Sequence, residues 1–598
     1  LLAACTEEAV SEAPAPAVTV AEYRSDAADP SNPLPDDRLL GGGHIAMRAG
    51  YGERFVPADA WTAELAGVLD AYRAHLEELD GWSVYASLLV PFSGPLDPAG
   101  VPSELFELAA IEGGAGAIAV EARYHDAARF VEVRPGAPLA PSTRHVLLVR
   151  KGLRDASGRA VERSPELAPI DPLALAALGR SEDDVVLGVT FTTGAPTRPL
   201  LEAAARLADV VPPHAFAADA GAKPWPHGVF DKAAFLDHFA GDAALEKELA
   251  KGLGEAGRVA VGTWSSRDFR GADELFDAAI VGGAKEPGTM KVEVVLVEPD
   301  ASKHPPPWPV TIVQHGFNGS NKDVLVRAEI FNREGIAAVG IDALKHGNRG
   351  SVFELFDPAD ARKFRDNFRQ TVLDQLQLCR LMASGGVDVD GAAGPDLDGS
   401  CHYFGQSMGG ILGGIHAAVS ADTRVSVLNV PGGGISRILE SEVMSPQIAI
   451  LFAPPLGFEP VDDARYAQAL PLLQWATQTI VDAADPIAYA PLLRTEPPAR
   501  ADRHVLIQAG VGDAYVPNDT TRALATAAGI PTRSAAVTDA GGLDALWWVD
   551  PKDFGIEPDI AQGTDAHNII GIVPGVRAQA GRYQASAAQE LLDPASVK

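Results

Sequence analysis

The sequence predicts an α/β chain: a doubly wound, mostly parallel sheet preceded by a smaller β-sandwich-like domain. Two observations carry this. From Pro309 onward, short apolar runs alternate with helical stretches, and the runs lack polar alternation, as strands buried on both faces do. Ahead of them, residues 34–165 hold several short β-rich runs divided by turns, the spacing of a sandwich. At 598 residues with 46% apolar content, the chain is long enough for two or more folded units.

Charge narrows the partners. With 80 acidic against 49 basic residues, the net charge of −31 repels phosphate backbones and anionic membrane surfaces, so nucleic acid is not an expected partner. Three cysteines, Cys5, Cys379 and Cys401, are too few for a disulfide framework. Cys379 on a helix and Cys401 on a strand are neighbours in this architecture. A bridge in an oxidising compartment and two reduced core thiols both fit, the second being the plainer reading.

In chain order, Leu1-Leu2-Ala3-Ala4-Cys5 has small residues ahead of a cysteine, and Thr6 to Pro35 is rich in Ala, Pro, Glu, Ser and Asp without a core-forming pattern. Residues 1–33 therefore read as a signal remnant and a disordered tether. Within 34–165, Ala60 to Leu79 reads as an amphipathic helix, and Trp82 to Phe92, Ala117 to Ala122, Phe130 to Val133 and Val146 to Val149 read as strands. No catalytic constellation appears there, which suggests a spacer, a binding module or a docking surface. Residues 166–254 form a helical connector that includes one strand, Val185 to Thr193, and an amphipathic helix, Ala233 to Leu253.

The catalytic unit is expected over 255–598, opening with strands at Val259 to Thr263 and Met290 to Val297. Val310 to Gln314, Ile336 to Ile341, Tyr403 to Phe404, Val425 to Val430 and Val505 to Ala509 supply its buried strands, and Phe364 to Ala383 a helix. A long segment over 435–493, with helices at Ile435 to Met444 and Tyr466 to Ile480, is placed as a lid over an apolar site.

The chemistry centres on Gly405-Gln406-Ser407-Met408-Gly409, a G-x-S-x-G turn between a strand and a helix. Its glycines allow a tight turn that lifts the Ser407 hydroxyl above the sheet. A serine needs a base and the base an orienting carboxylate, in the chain order Ser, Asp or Glu, His. Of the 14 histidines, only His504 and His567 follow the elbow helix, and His504 opens a strand at its far end, leaving His567 as the base. Asp513, first acid after the Val505 strand and its glycine turn, is the expected carboxylate. Asp482 and Asp485 are runners-up, with Asp519 and Asp539 read as surface charges.

Two backbone N–H groups must hold the oxyanion. Met408 supplies one and Phe317, in Gln314-His315-Gly316-Phe317, the other, with Gly316 second; His315 is read as shaping the loop. Asp388, Asp390, Asp396 and Asp398 lack the spacing of a calcium loop and read as turn residues, and Trp547-Trp548 reads either as an acyl-pocket wall or as core packing.

Together these motifs resemble the α/β-hydrolase superfamily of serine esterases and lipases over about residues 255–590. More narrowly, the start at Leu1 to Cys5 is similar to the lipobox of bacterial lipoproteins, and Val90 to Asp97 resembles bacterial virulence-factor lipases. These are outer-membrane lipoproteins with a β-rich N-terminal domain, some of them acting on lysophospholipids. The resemblance implies lipidation at Cys5, attachment to the cell envelope, and a small-molecule or lipid ester substrate. The expected activity is hydrolysis of carboxylic esters through an acyl-enzyme, with no metal and no organic cofactor. A serine peptidase of the same fold, or a non-catalytic surface-binding lipoprotein, are the alternatives.

Overall fold

The computed structural model describes residues 18–113, 116–208, 210–212, 214–215, 226–384, 387–389, 394–494 and 502–597. Cys5 with the rest of the lipobox-like start lies outside the described residues, as do Asp390 and Gly391 of the acidic turn.

Among the described residues, ten strands form the main sheet. Its order runs His214–Ala215, Ala256–Asp268, Gly288–Pro299, Ala337–Ile341, Trp308–Gln314, Leu397–Gln406, Thr423–Asn429, His504–Gly510, Ala545–Val549, with Gly228–Asp231 also paired to Ala256–Asp268. From Ala337–Ile341 to Ala545–Val549 all pairs are parallel. These strands are largely buried on both faces, Ala337–Ile341 at all 5 positions, because helices cover both sides. The first third of the sheet is antiparallel: Ala256–Asp268 and Gly288–Pro299 pair as a long hairpin without a crossover helix, so the sheet is mixed.

The N-terminal half contains a three-stranded antiparallel sheet of Leu88–Pro91, Phe130–Pro135 and Val120–His125. A four-stranded antiparallel sheet orders Val185–Thr192, Arg144–Arg150, Phe106–Ala110 and Ala117–Ile118. Two expected boundaries shift. Val185–Thr192, assigned to the connector, pairs along Arg144–Arg150, so the N-terminal fold continues past residue 165. Residues 18–33, assigned to the tether, are folded: Val20–Ala21 pairs with Glu162–Arg163, and the Asn32 carboxamide accepts from Arg24 N–H at 2.8 Å. A two-residue bridge held by side-chain hydrogen bonds leaves no periodic signature, which is why composition alone read this stretch as disordered.

The helix expected over Ala233 to Leu253 is two helices, Lys232–Asp237 and Ala243–Gly252. The break falls at Gly241, and Asp242 caps the second by accepting from Leu245 N–H. The inserted segment is likewise more broken than expected, with helices at Ile435–Ile438, Met444–Phe452, Ala464–Val481 and Pro486–Arg494.

One apolar core runs without interruption from the N-terminal half, through the insertion, to one face of the main sheet; a second core fills the opposite face. The helix Ala361–Ala383 lies in the first. Its polar stripe is buried as well: Asp366 accepts from both Arg365 and Arg369, and Asp374 from Ser266. Cys379 on this helix is bonded to Cys401 on the adjacent strand, where the plainer reading had two free thiols. Among the described residues no helix is long and apolar enough to cross a membrane.

Candidate active site

The strand Leu397–Gln406 runs directly into the helix Met408–Val419, and Ser407 between them sits at φ 57° and ψ −121°. A side-chain-bearing residue adopts that region only when its surroundings enforce it. Here the enforcement is close packing. A β-carbon at Gly405 would collide with the Gly409 carbonyl, and one at Gly409 with the carbonyl of Gln314 on the neighbouring strand. The Ser407 N–H is held by the Asn429 carbonyl at 2.9 Å. The half-buried hydroxyl borders a cleft of about 540 Å³ that is also lined by Phe317, Met408, Tyr515 and His567.

Asp513 lies on the turn after His504–Gly510, and its carboxylate has two jobs. Oδ1 accepts from the Tyr515 and Val516 N–H groups at 2.8 and 3.0 Å, which fixes its orientation. Oδ2 meets His567 Nδ1 at 2.8 Å. A carboxylate accepts, so Nδ1 carries the proton and Nε2 is left as the basic nitrogen of the neutral ring. His567 stands in a short turn, Ala566–Asn568, capped by Asp565, whose carboxylate accepts from the His567 N–H at 2.8 Å. The Tyr515 ring stacks on the imidazole with centroids 4.8 Å apart. Ser407 and His567 line the same cleft; in resting sites the bond between such a pair is often long and tightens when substrate binds.

The third part of the site is the turn after Trp308–Gln314. His315 is buried, and its Nε2 accepts from the Ala343 N–H at 3.0 Å, so Nδ1 carries the hydrogen and donates to the Gly316 carbonyl at 2.8 Å. Burial pulls its pKa down to about 4, with the Arg349 charge lowering it further and the Gly316 carbonyl partly opposing; the ring is neutral at physiological pH. Gly319 N–H also donates to the Gly316 carbonyl, at 3.0 Å. In a trans peptide the carbonyl and the following N–H point in opposite directions. Holding the Gly316 carbonyl from below therefore sets the direction of the Phe317 N–H. A β-carbon at Gly316 would lie 3.4 Å from Ser407 Cβ, so this loop is in van der Waals contact with the elbow.

The structure thus brings Ser407, Met408, Phe317, Asp513 and His567 to one end of the parallel sheet. The other acids are elsewhere. Asp482 and Asp485 are buried within the insertion, bonded to backbone N–H groups rather than to a histidine. Asp519 lies in the first turn of the helix Asn518–Ala527 and Asp539 stands in a turn with Gly541. Asp396 accepts from Val389 N–H and pairs with Arg258, as a turn residue would. Trp547 is buried in the core on the far side of the sheet, and the Trp548 ring is covered by Arg522. Neither lines the cleft. Among the described residues no group of His, Cys, Asp and Glu is arranged to hold a metal ion.

Two cleft residues had no sequence signal. Gln406 accepts from Arg327 and donates to the His567 carbonyl at 3.5 Å, linking the elbow to the histidine turn. Arg327 lines the cleft beside it, and burial lowers its pKa. An isolated arginine in a helix is indistinguishable in sequence from a surface charge.

No family model and no curated protein matches this sequence. Among solved structures the chain is similar to an acetyl xylan esterase from Paenibacillus sp. R4, at 15% identity over 49% of this chain and 78% of that one, with a TM-score of 0.31. Acetyl xylan esterase 1 from Thermoanaerobacterium sp. JW/SL YS485 gives 15% identity over 60% and 86%, with a TM-score of 0.33. An esterase of Pyrococcus furiosus gives 12% identity over 50% and 86%, with a TM-score of 0.31. The α/β architecture described above rests on the strand order and register of this chain alone.

Proposed function

We propose that this protein is a serine hydrolase of carboxylic esters, of the α/β-hydrolase superfamily, working through an acyl-enzyme. One observation carries the reading: a carboxylate bonded to an imidazole, in one cleft with a serine held at positive φ on a strand-to-helix turn.

The chemistry follows from those positions. Ser407 Oγ bonds to the ester carbonyl carbon while its proton passes to His567 Nε2, and Asp513 stabilises the resulting imidazolium. The negative oxygen is held by the N–H groups of Phe317 and Met408, each such donor being worth about 100- to 1,000-fold in rate. Collapse breaks the bond to the alcohol, which leaves with the proton from His567. Water then gives its proton to His567, attacks the acyl-enzyme and releases the acid, and Ser407 recovers its hydrogen.

A fluorophosphonate probe tests this reading. The expected result is one adduct on the peptide carrying Ser407 and no label on Ser407→Ala. Full turnover of a short-chain nitrophenyl ester by Ser407→Ala would end it. Lipidation at Cys5 and a place in the cell envelope belong to the same proposal, supported by the order of residues 1–5.

A further inference from the structure

The cleft at Ser407 has an apolar extension. Phe356, Phe364, Ile435, Leu439 and Ile448 line both the cleft and a narrow space of about 60 Å³ behind it. The far wall of that space is made by Tyr466, Leu473 and Val481 of the insertion and by Tyr72. Tyr72 belongs to the helix Ala63–Leu76 of the N-terminal half, more than 300 residues before the nucleophile in sequence, and is 2% exposed.

That helix is fixed against the insertion at several points. Its cap residue Thr62 donates to the Leu456 carbonyl at 2.5 Å, and Tyr72 shares the lining of the narrow space with Thr477 of the insertion. The rings of Tyr51 and Trp82 meet Trp475 at 6.0 and 6.2 Å. Beside them the Asp482 carboxylate accepts from the Ser83 hydroxyl and the Val84 N–H, both at 2.7 Å.

We propose that the N-terminal half is a component of the substrate site: Tyr72 closes the arm that takes the apolar tail of the ester, and so sets the longest chain the enzyme accepts. This rests on the ester-hydrolase reading and adds the substrate class. An arm lined mainly by aliphatic and aromatic side chains and continuous with the nucleophile's cleft suits a hydrocarbon chain, whose apolar surface leaves water on entering it. Its size bounds the chain. At about 10–15 Å³ for each water-sized group, the arm holds roughly four to six carbons, hence acyl chains of roughly six to eight with those in the cleft. Each methylene seated there should raise kcat/KM about fourfold, and the gain should stop at Tyr72.

The test is the profile of kcat/KM across 4-nitrophenyl esters from two to fourteen carbons. The wild-type profile should rise to an optimum near six to eight carbons and fall beyond it. Leu473→Trp, which fills the arm, should lower the eight-to-two-carbon ratio by about 30-fold or more. Tyr72→Ala, which opens its end, should raise the twelve-to-eight-carbon ratio about tenfold. The opposite directions keep the test readable if one variant fails to fold. An optimum at two carbons, or ratios unmoved in the folded variants, overturns the proposal while leaving ester hydrolysis standing. Absence of hydrolysis at every length, with no fluorophosphonate adduct on Ser407, removes the ester-hydrolase reading itself.

Discussion

Asp513 and Asp482 are two nearly inaccessible aspartates, 8% and 2% exposed, that sequence alone offered for the same role, and they occupy opposite kinds of site. Asp513 stands at the rim of the sheet with one oxygen on backbone N–H groups and the other on an imidazole that borders the cleft. Asp482 sits at the joint between the insertion and the N-terminal half, where its partners are the Ser83 hydroxyl, the Val84 N–H and the Gln478 amide. Desolvation by burial raises the Asp482 pKa to about 7, with the neighbouring Asp485 carboxylate adding to it. At comparable burial the two carboxylates differ in their partners, one bonded to an imidazole and the other to groups that do not titrate. The first has a partner able to hold and release a proton next to open space. The second has only neutral donors and borders a different cleft, with Trp82 and Ser83.

The largest effect that could break this contrast is at the rim. In Asp513→Asn the amide can donate to Nδ1, which forces the hydrogen of His567 onto Nε2 and removes its basic lone pair from the cleft. Ester turnover should fall about 100- to 10,000-fold, with the melting temperature within about 5 °C of the parent because the fold around the turn is unchanged. A loss of less than about tenfold in steady-state assays would mean that Asp513 is no more functional than Asp482.

A smaller effect sharpens the same point at a residue that touches no substrate. His315 holds the Gly316 carbonyl and, through the rigid peptide, the direction of the Phe317 N–H. His315→Phe keeps much of the volume and removes both hydrogen bonds. kcat should fall about 10- to 100-fold with KM changed less than about threefold, the signature of lost oxyanion stabilisation. Leaving the Ala343 N–H unpaired should also cost about 1–3 kcal/mol of stability. A rise in KM at constant kcat would instead assign His315 to substrate binding.

How much of this was readable follows from where each signal lives. Ser407 and Asp513 stand on turns at strand ends and His567 on a short turn farther along the chain, where glycines and chain order mark them, and the apolar strands announce a buried parallel sheet. Tyr72, Trp475 and Arg369 were invisible for one shared physical reason. Periodicity tells which face of a helix is apolar and says nothing about what covers the other face. In the helix Ala361–Ala383 the polar side is covered too: Asp366 and Asp374 are fully buried, because Arg365, Arg369 and the Phe276 N–H meet the first and the Ser266 hydroxyl and the Gln370 amide meet the second. The N-terminal half read as a separate module because it carries no chemistry of its own, whereas in space it shares a core with the sheet.

The smallest effect tests the structural side of the contrast, through the pH dependence of stability. The folded pKa of Asp482, about 7, lies above its ordinary 3.8, so between those values the folded state holds a proton that the unfolded state has lost. Its contribution therefore increases as pH falls from about 7 towards 4 and declines as pH rises through that window. Buried histidines act in the opposite sense. Desolvation lowers His416 to about 3, and His75, His315 and His346 to about 4, so each favours folding above 6.5 and loses that contribution on acidification. In the parent protein the two trends partly offset one another between pH 7 and 4.5. Asp482→Asn removes only the first, so urea midpoints of the variant should drop more steeply on acidification, the gap widening by on the order of 3 kcal/mol across that range. Turnover at pH 7.5 should change far less than in Asp513→Asn. Parallel stability profiles for parent and variant would mean that Asp482 is ionised in the joint and that its neutral donors bind it as a carboxylate throughout.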